Sequence, residues 1–166
     1  RKFKTVVEPN TLKYKENDSL LATVKANTRE FVAFFTSRGM VYVFKLYNLP
    51  YTRTGFGEPI QNLFKFSDGE KVVSVLSLDP AELAATTKIL TEKSSKKSSR
   101  QTRLSFADEK NGGLEGMVVG SSGYGFRFTL TSLIETTRSG RKLMTLKSND
   151  KLVGFSLVTG DHLFMA

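Results

Sequence analysis

A chain of 166 residues with 39 % hydrophobic content and thirteen glycines is sized and composed for one packed domain, which excludes disorder of the whole chain. It carries 25 Lys and Arg against 16 Asp and Glu, a formal charge of +9, so a polyanion or an anionic surface is the first class of partner to weigh. Cysteine is absent, which removes disulfides and thiolate metal sites; no apolar run approaches bilayer-spanning length and no signal-peptide pattern opens the chain, so a soluble, cytoplasmic protein without a membrane partner is expected.

Residues 1–29 read as the partial tail of a preceding unit. Residues 4–7 predict a strand, Glu8-Pro9-Asn10 a turn, Lys15-Glu16-Asn17-Asp18-Ser19 a second turn, and residues 20–24 another strand. The chain opens at Arg1 inside what reads as a strand, so a piece of something longer is expected.

Residues 30–78 then form one whole unit and residues 114–158 a second. Thr36-Ser37-Arg38-Gly39 precedes Met40, Tyr42 and Phe44, and Gly120-Ser121-Ser122-Gly123 precedes Tyr124, Phe126 and Phe128, at one constant offset of 84 residues. Beyond the strand, Leu46 and Leu49 fall on Leu130 and Leu133, and a small basic loop with glycine follows in both copies: Thr52 to Pro59 and Thr136 to Lys142. Each copy then has an apolar pair, Ile60 with Leu63 or Leu143 with Leu146, a polar turn at residues 67–71 or 148–151, and a closing β-branched strand. The unit therefore predicts strand, turn, strand, basic loop, short strand, turn, strand, each copy being one small antiparallel sheet. Residues 159–166 resemble the opening strand of a further unit.

Residues 79–113 differ in character. Pro80 to Ala85 predict a brief helix, while residues 88–103 are dominated by Lys, Ser, Arg and Thr and cannot bury enough apolar area to offset ordering entropy, which predicts a partly disordered basic insertion. Without it the period falls to roughly fifty residues, the size of a four-stranded propeller blade. Such units cannot bury both faces alone and must stack on neighbours, so the expected fold class is all-β, a propeller-like partial ring of repeated four-stranded antiparallel blades.

These residues also resemble a known family. Phe34-Phe35-Thr36-Ser37-Arg38-Gly39-Met40-Val41-Tyr42, Leu49-Pro50, Gly57-Glu58-Pro59-Ile60-Gln61-Asn62-Leu63 and Gly69-Glu70-Lys71-Val72-Val73-Ser74-Val75 look like one blade of the C-terminal domain of bacterial type IIA topoisomerase A subunits. Residues 120–126 with Arg138-Ser139-Gly140-Arg141-Lys142 resemble the next blade, especially that of topoisomerase IV. The resemblance covers nearly all of the chain outside residues 79–113. It implies a β-pinwheel whose blades exchange strands and whose basic outer rim binds and bends double-stranded DNA. It further implies, as partners, the rest of the A subunit and the B (ATPase) subunit, a chromosome-associated location, and ATP and Mg²⁺ used elsewhere in the parent enzyme, with no cofactor in this segment. The basic glycine-rich box of the first gyrase blade has no counterpart here, the loops at 52–59 and 136–142 being degenerate, which points to topoisomerase IV or to a later blade.

Phosphates require cations and backbone N–H groups held on a surface, and glycines in basic loops let the backbone approach. The candidate DNA-binding residues are Arg53, Arg138, Arg141 and Lys142 in the matching loops, with Arg38, Lys45, Arg127 and Lys147 on or beside the strands. Lys93, Lys96, Lys97, Arg100 and Arg103 of the insertion form a candidate electrostatic arm, with a spacer of no specific role as the competing reading.

Enzyme chemistry is not expected in this segment. Gly112-Gly113 and residues 120–125 lack both the phosphate-loop and the dinucleotide-loop spacing and read as turns. A Ser-His-Asp triad would have to use His162, the single histidine. The topoisomerase nucleophile is a tyrosine directly after arginine, and none of Tyr14, Tyr42, Tyr47, Tyr51 and Tyr124 follows one. Asp68, Glu70 and Asp150 lie in turns without metal-like clustering. Tyr42, Phe44, Phe126 and Phe128 share one strand face, where packing between blades explains them better than stacking on unpaired bases. The competing function class is a propeller scaffold for protein partners, in which the positive charge serves solubility.

Overall fold

Alternation of large apolar residues makes a hairpin of β1 (Phe31–Thr36) and β2 (Met40–Lys45), which pair antiparallel with Phe34 opposite Tyr42 and Phe35 opposite Val41. The computed structural model containing them describes residues 1–52, 55–94, 114–133 and 139–158. β3 (Val72–Ser77) lies on the other side of β1. The second unit builds the same arrangement from β4 (Glu115–Gly120), β5 (Gly125–Thr129) and β7 (Leu152–Val158), in the order β5-β4-β7.

The repeat extends to individual hydrogen bonds. Ser37 donates its N–H to the Lys71 carbonyl at 2.8 Å and its Oγ accepts from the Lys71 N–H at 3.1 Å; Ser121 does both with Lys151, at 2.8 and 3.0 Å. One register shift follows in each sheet at the same place, between Phe35 and Thr36 and between Val119 and Gly120. Aromatic volume is exchanged across the equivalent strand pair: Phe34 faces Val75 in the first sheet, whereas Val118 faces Phe155 in the second.

That exchange helps join the sheets. Gly116 stands where the first unit has Val32, and a β-carbon there would collide with the Phe155 ring. With that space open, Phe155 stacks on Phe35 with centroids 4.3 Å apart and planes within 8°. Ala33, Phe35, Val41 and Val43 from the first sheet thus share one buried core with Val118, Phe128, Leu130, Leu133 and Leu152 from the second.

The strand pattern differs from the sequence expectation in three places. The first sheet does not contain four strands of its own unit: its order is β3-β1-β2-β6, and β6 (Arg141–Lys142) comes from the second unit. Lys142 pairs with Met40 and Arg141 with Val41. The short strand expected at the apolar pair forms in neither unit: residues 143–146 make no strand, β6 lying just before them in the basic loop, and Ile60–Leu63 forms one helical turn, α1, started by Pro59. Pro59 has no N–H to give a ladder and its fixed φ suits a helix start, which accounts for the change.

The strands expected at residues 4–7 and 20–24 are also absent, and Val6, Leu20, Leu21 and Val24 are exposed. Finally, the helix expected to be brief is α2 (Pro80–Ser94), 15 residues long. Asp79 caps it, accepting the Ala81 N–H at 3.0 Å and the Asn27 N–H at 2.7 Å, and Leu83 anchors it in the core. Good helix formers in the next turns carry it onward. The remainder of the insertion, and residues 159–166 with His162, lie outside the described residues. Among the described residues no helix is long and apolar enough to cross a membrane.

Candidate nucleic-acid interface

Strand exchange decides where the cations stand. The turn between β1 and β2 is gripped by the second unit on both sides of Arg38: the Ser37 carbonyl accepts the Leu152 N–H at 2.9 Å, and the Gly39 carbonyl accepts the N–H groups of Leu143 and Met144 at 2.9 and 3.1 Å. Gly39 tolerates this approach because its φ is +72° and a β-carbon would sit 2.5 Å from the Met144 carbonyl oxygen. β6 therefore runs directly beside the turn, which puts Arg141 and Lys142 of the second repeat on the edge strand next to the turn that carries Arg38 of the first, all three exposed.

Two of the three are oriented by carbonyls. Arg38 donates to the Asp68 carbonyl and Arg141 to the Ser132 carbonyl, each at 2.6 Å. A guanidinium held by one neutral acceptor keeps its charge and further donors free. Among the described residues, none of the three has a carboxylate within ion-pair distance.

The other predicted cations fare differently. Lys45 lies at the far end of β2, exposed, with its Nζ 5.8 Å from the Phe31 ring centroid. Lys147 is exposed in the turn before β7, 5.6 Å from the Tyr124 ring centroid. Arg127 is engaged by Glu115 through Nε at 2.6 Å and Nη2 at 2.5 Å, so its charge is largely answered within the protein. Lys93 falls near the end of α2, while Arg53, Arg138, Lys96, Lys97, Arg100 and Arg103 lie outside the described residues.

The glycine of the second basic loop has a packing task. Gly140, at φ +71°, lies against the Tyr42 ring, which a β-carbon would approach to 2.6 Å. Tyr42 is 1 % exposed and packs among Phe64 and Phe66, with centroids 5.0 and 4.8 Å away. Its hydroxyl donates to the Lys65 carbonyl at 3.2 Å and approaches Glu70 Oε2 at 3.4 Å. Burial foremost, then the Glu70 charge and hydrogen bond, push the Tyr42 phenol up to about 12.

Glu70 is itself 8 % exposed and accepts from the Thr36 hydroxyl and from the Ser67 N–H at 2.8 Å. This buried carboxylate is a structural lock beneath the turn that carries Arg38. The sequence places Glu70 in a turn and does not show its burial, because neither Thr36 nor Tyr42 is near it in the chain. Among the described residues no three His, Cys, Asp or Glu are grouped to hold a metal.

A second basic cluster, at residues 1–4, was missed by reading the start of the chain as part of a strand. Lys2 is buried and donates to the carbonyls of Leu46 and Leu49 at 2.7 and 2.9 Å, and burial lowers its pKa from the ordinary lysine value. It ties residues 1–4 to the loop that follows β2. The available signal was the run Arg1-Lys2-Phe3-Lys4 together with Tyr51 and Phe56 in a glycine-containing loop.

Comparison with known proteins fits this geometry. The family model described as "DNA gyrase C-terminal domain, beta-propeller" matches residues 30–79 and 117–159, more than half of the chain and both repeats. The chain belongs to that family. It is 28 % identical over 155 residues to the DNA gyrase A subunit of Buchnera aphidicola, covering 93 % of this chain and 15 % of that protein. Against the DNA gyrase A subunit of Streptococcus pyogenes it is 33 % identical over 144 residues, covering 74 % of this chain and 17 % of that protein. It thus spans less than a fifth of the length of either relative. The E. coli ParC C-terminal domain superposes with a TM-score of 0.63 at 23 % identity, covering 92 % of this chain and 49 % of that one, and so shares the fold. The all-β, propeller-like class expected from the repeat is the one observed, and the exchanged β6 matches the strand exchange that a pinwheel implies.

Proposed function

We propose that this C-terminal domain of a topoisomerase A subunit binds double-stranded DNA through phosphate contacts, without reading sequence, and bends the duplex around its edge. The observation that supports it most is that strand exchange sets the exposed Arg141 and Lys142 of one repeat beside the turn bearing Arg38 of the other, with no carboxylate to answer them among the described residues. Cations oriented on a rigid sheet edge suit a regular array of phosphates better than mobile surface lysines, because less side-chain freedom is lost on binding.

Bending a stiff duplex by tens of degrees costs about 1–6 kcal/mol, so several such contacts per blade must act together. The domain would then choose which second DNA segment reaches the cleavage gate. It would set the substrate preference of a parent enzyme whose ATP hydrolysis, with the B subunit, and Mg²⁺-assisted cleavage occur elsewhere.

Titrating a random-sequence duplex against salt tests this directly. The Arg38→Ala/Arg141→Ala/Lys142→Ala variant should weaken binding equally for all sequences and reduce the steepness of the log–log salt slope by about 2–3, near 0.9 per lost phosphate contact. Arg127→Ala, with Glu115 already its partner, should change the slope by less than about 0.5. Weak binding at low salt, or an unchanged slope in the triple variant, would remove the reading.

A further inference from the structure

We infer that the DNA-binding unit is the joint between the two repeats and not either repeat alone: Lys71 and Lys151 complete the cation set of Arg38, Arg141, Lys142 and Lys147, and the duplex crosses from one repeat to the other at that joint. This rests on the DNA-binding reading and names the part of the fold that does the binding.

One segment of the second repeat, residues 141–152, runs around the turn that carries Arg38. It begins with β6, where Lys142 pairs with Met40 and Arg141 with Val41, and the next two N–H groups, of Leu143 and Met144, go to the Gly39 carbonyl. Leu146 then lies between the turns of the two repeats, 3.4 Å from where a β-carbon on Gly39 would stand and 3.3 Å from where one on Gly120 would. The Leu152 N–H closes the circuit on the Ser37 carbonyl at 2.9 Å.

Ser37 also gives its own N–H to the Lys71 carbonyl at 2.8 Å. Lys71 of the first repeat and Leu152 of the second are therefore both bonded to the residue before Arg38, and Lys151 directly precedes Leu152. Hydrogen-bonded backbones lie about 5 Å apart, so cations of both repeats are held within about 10 Å around one turn. About 10 Å of duplex axis carries about six phosphate charges, one per ~1.7 Å, and a single crossing can engage both repeats.

The charge is concentrated on the segment that makes the joint. Residues 141–152 hold four cations and one acid, whereas the counterpart residues 61–72 hold two lysines and two acids. The one acid, Asp150, accepts from the Ser121 and Ser122 hydroxyls, and Glu70 of the counterpart is turned inward on Thr36 and Ser67. Lys71, Lys147 and Lys151 are exposed and, among the described residues, have no carboxylate within ion-pair distance. Backbone bonds between the repeats fix the spacing of these cations before DNA arrives, which lowers the ordering cost of binding.

The test is a salt titration of a random-sequence duplex with charge-matched variants. Lys71→Ala/Lys151→Ala should reduce the log–log slope by about 1–2, near 0.9 per lost phosphate contact, and Lys71→Arg/Lys151→Arg, which keeps both charges, should keep the slope. Lys25→Ala/Arg29→Ala removes two charges at the opposite end of the first sheet, where Arg29 precedes β1 and Lys25 lies 3.6 Å from Glu82 of α2, the helix after β3. That pair should change the slope by less than about 0.5. An unchanged slope in Lys71→Ala/Lys151→Ala overturns the joint as the seat and leaves Arg38, Arg141 and Lys142 as the binding edge. Equal losses in the two alanine pairs overturn it as well, since net charge alone would then account for them. A wild-type domain that does not bind the duplex at low salt overturns the DNA reading as a whole.

Discussion

The two repeats share a backbone and differ in what lies beneath the turn. In the first, Thr36, Tyr42 and Glu70 form a buried network, and β6 closes the edge beside it. In the second, the equivalent places hold Gly120, Phe126 and Asp150; Phe126 is 46 % exposed, and Asp150 accepts from the exposed hydroxyls of Ser121 and Ser122 at 3.2 and 2.7 Å. The Ser-to-Lys latch is the same in both. One local design thus carries a buried network where a strand of the other unit adds to β2, while among the described residues no strand adds to β5.

The sharpest way to break that comparison is at the turn glycines. Gly39 and Gly123 have nearly the same φ, +72° and +84°, but only Gly39 faces the second unit's backbone. Gly39→Ala should destabilise the domain in urea by about 3–5 kcal/mol, combining left-handed strain with a clash, whereas Gly123→Ala should cost about 1–2 kcal/mol. Equal losses would mean that the joint does not constrain the turn.

The carboxylates come next. Glu70→Ala strands the buried Thr36 hydroxyl and removes the acceptor of the partly buried Ser67 N–H, and should cost about 2–4 kcal/mol, against less than about 1 kcal/mol for Asp150→Ala, whose partners reach water. Duplex affinity should fall with Glu70→Ala only as far as the Arg38 turn loosens, which amide exchange at Gly39 can follow.

Alkaline pH probes the same network through Tyr42. Its folded value is about 12. The unfolded phenol titrates near 10, so between about pH 10 and 12 the unfolded chain releases a proton that the folded chain keeps. Stability therefore falls as pH rises through this window, by up to about 2–3 kcal/mol from Tyr42 alone. Tyr42→Phe should show a correspondingly shallower loss in parallel urea titrations, and identical profiles would place the phenol outside any buried network.

The smallest expected effect concerns what the repeats share. Ser37→Ala and Ser121→Ala each remove one hydroxyl acceptor from a backbone N–H and should each cost about 0.5–1.5 kcal/mol by urea denaturation. A large inequality would show that the shared latch does different work in the two units.

Residue order was enough to determine the long strands of the two repeats, their turns and their equivalence, because side-chain alternation and a glycine with positive φ act within a few residues. Ser37 and Ser121, aligned from sequence, make the same pair of bonds. Pro80 to Ala85 likewise predicted a helix, although the Asp79 cap and the seat of Leu83 in the core came only with the structure. Residue order was not enough to say that Arg141 and Lys142 would pair with the other repeat, that Glu115 would engage Arg127, that Glu70 would be buried, or that Lys2 would be drawn under Tyr51. A cation's freedom to meet a phosphate depends on its nearest carboxylate and its degree of burial. Both are set by contacts between residues far apart in the chain, and only the packed sheets bring those together.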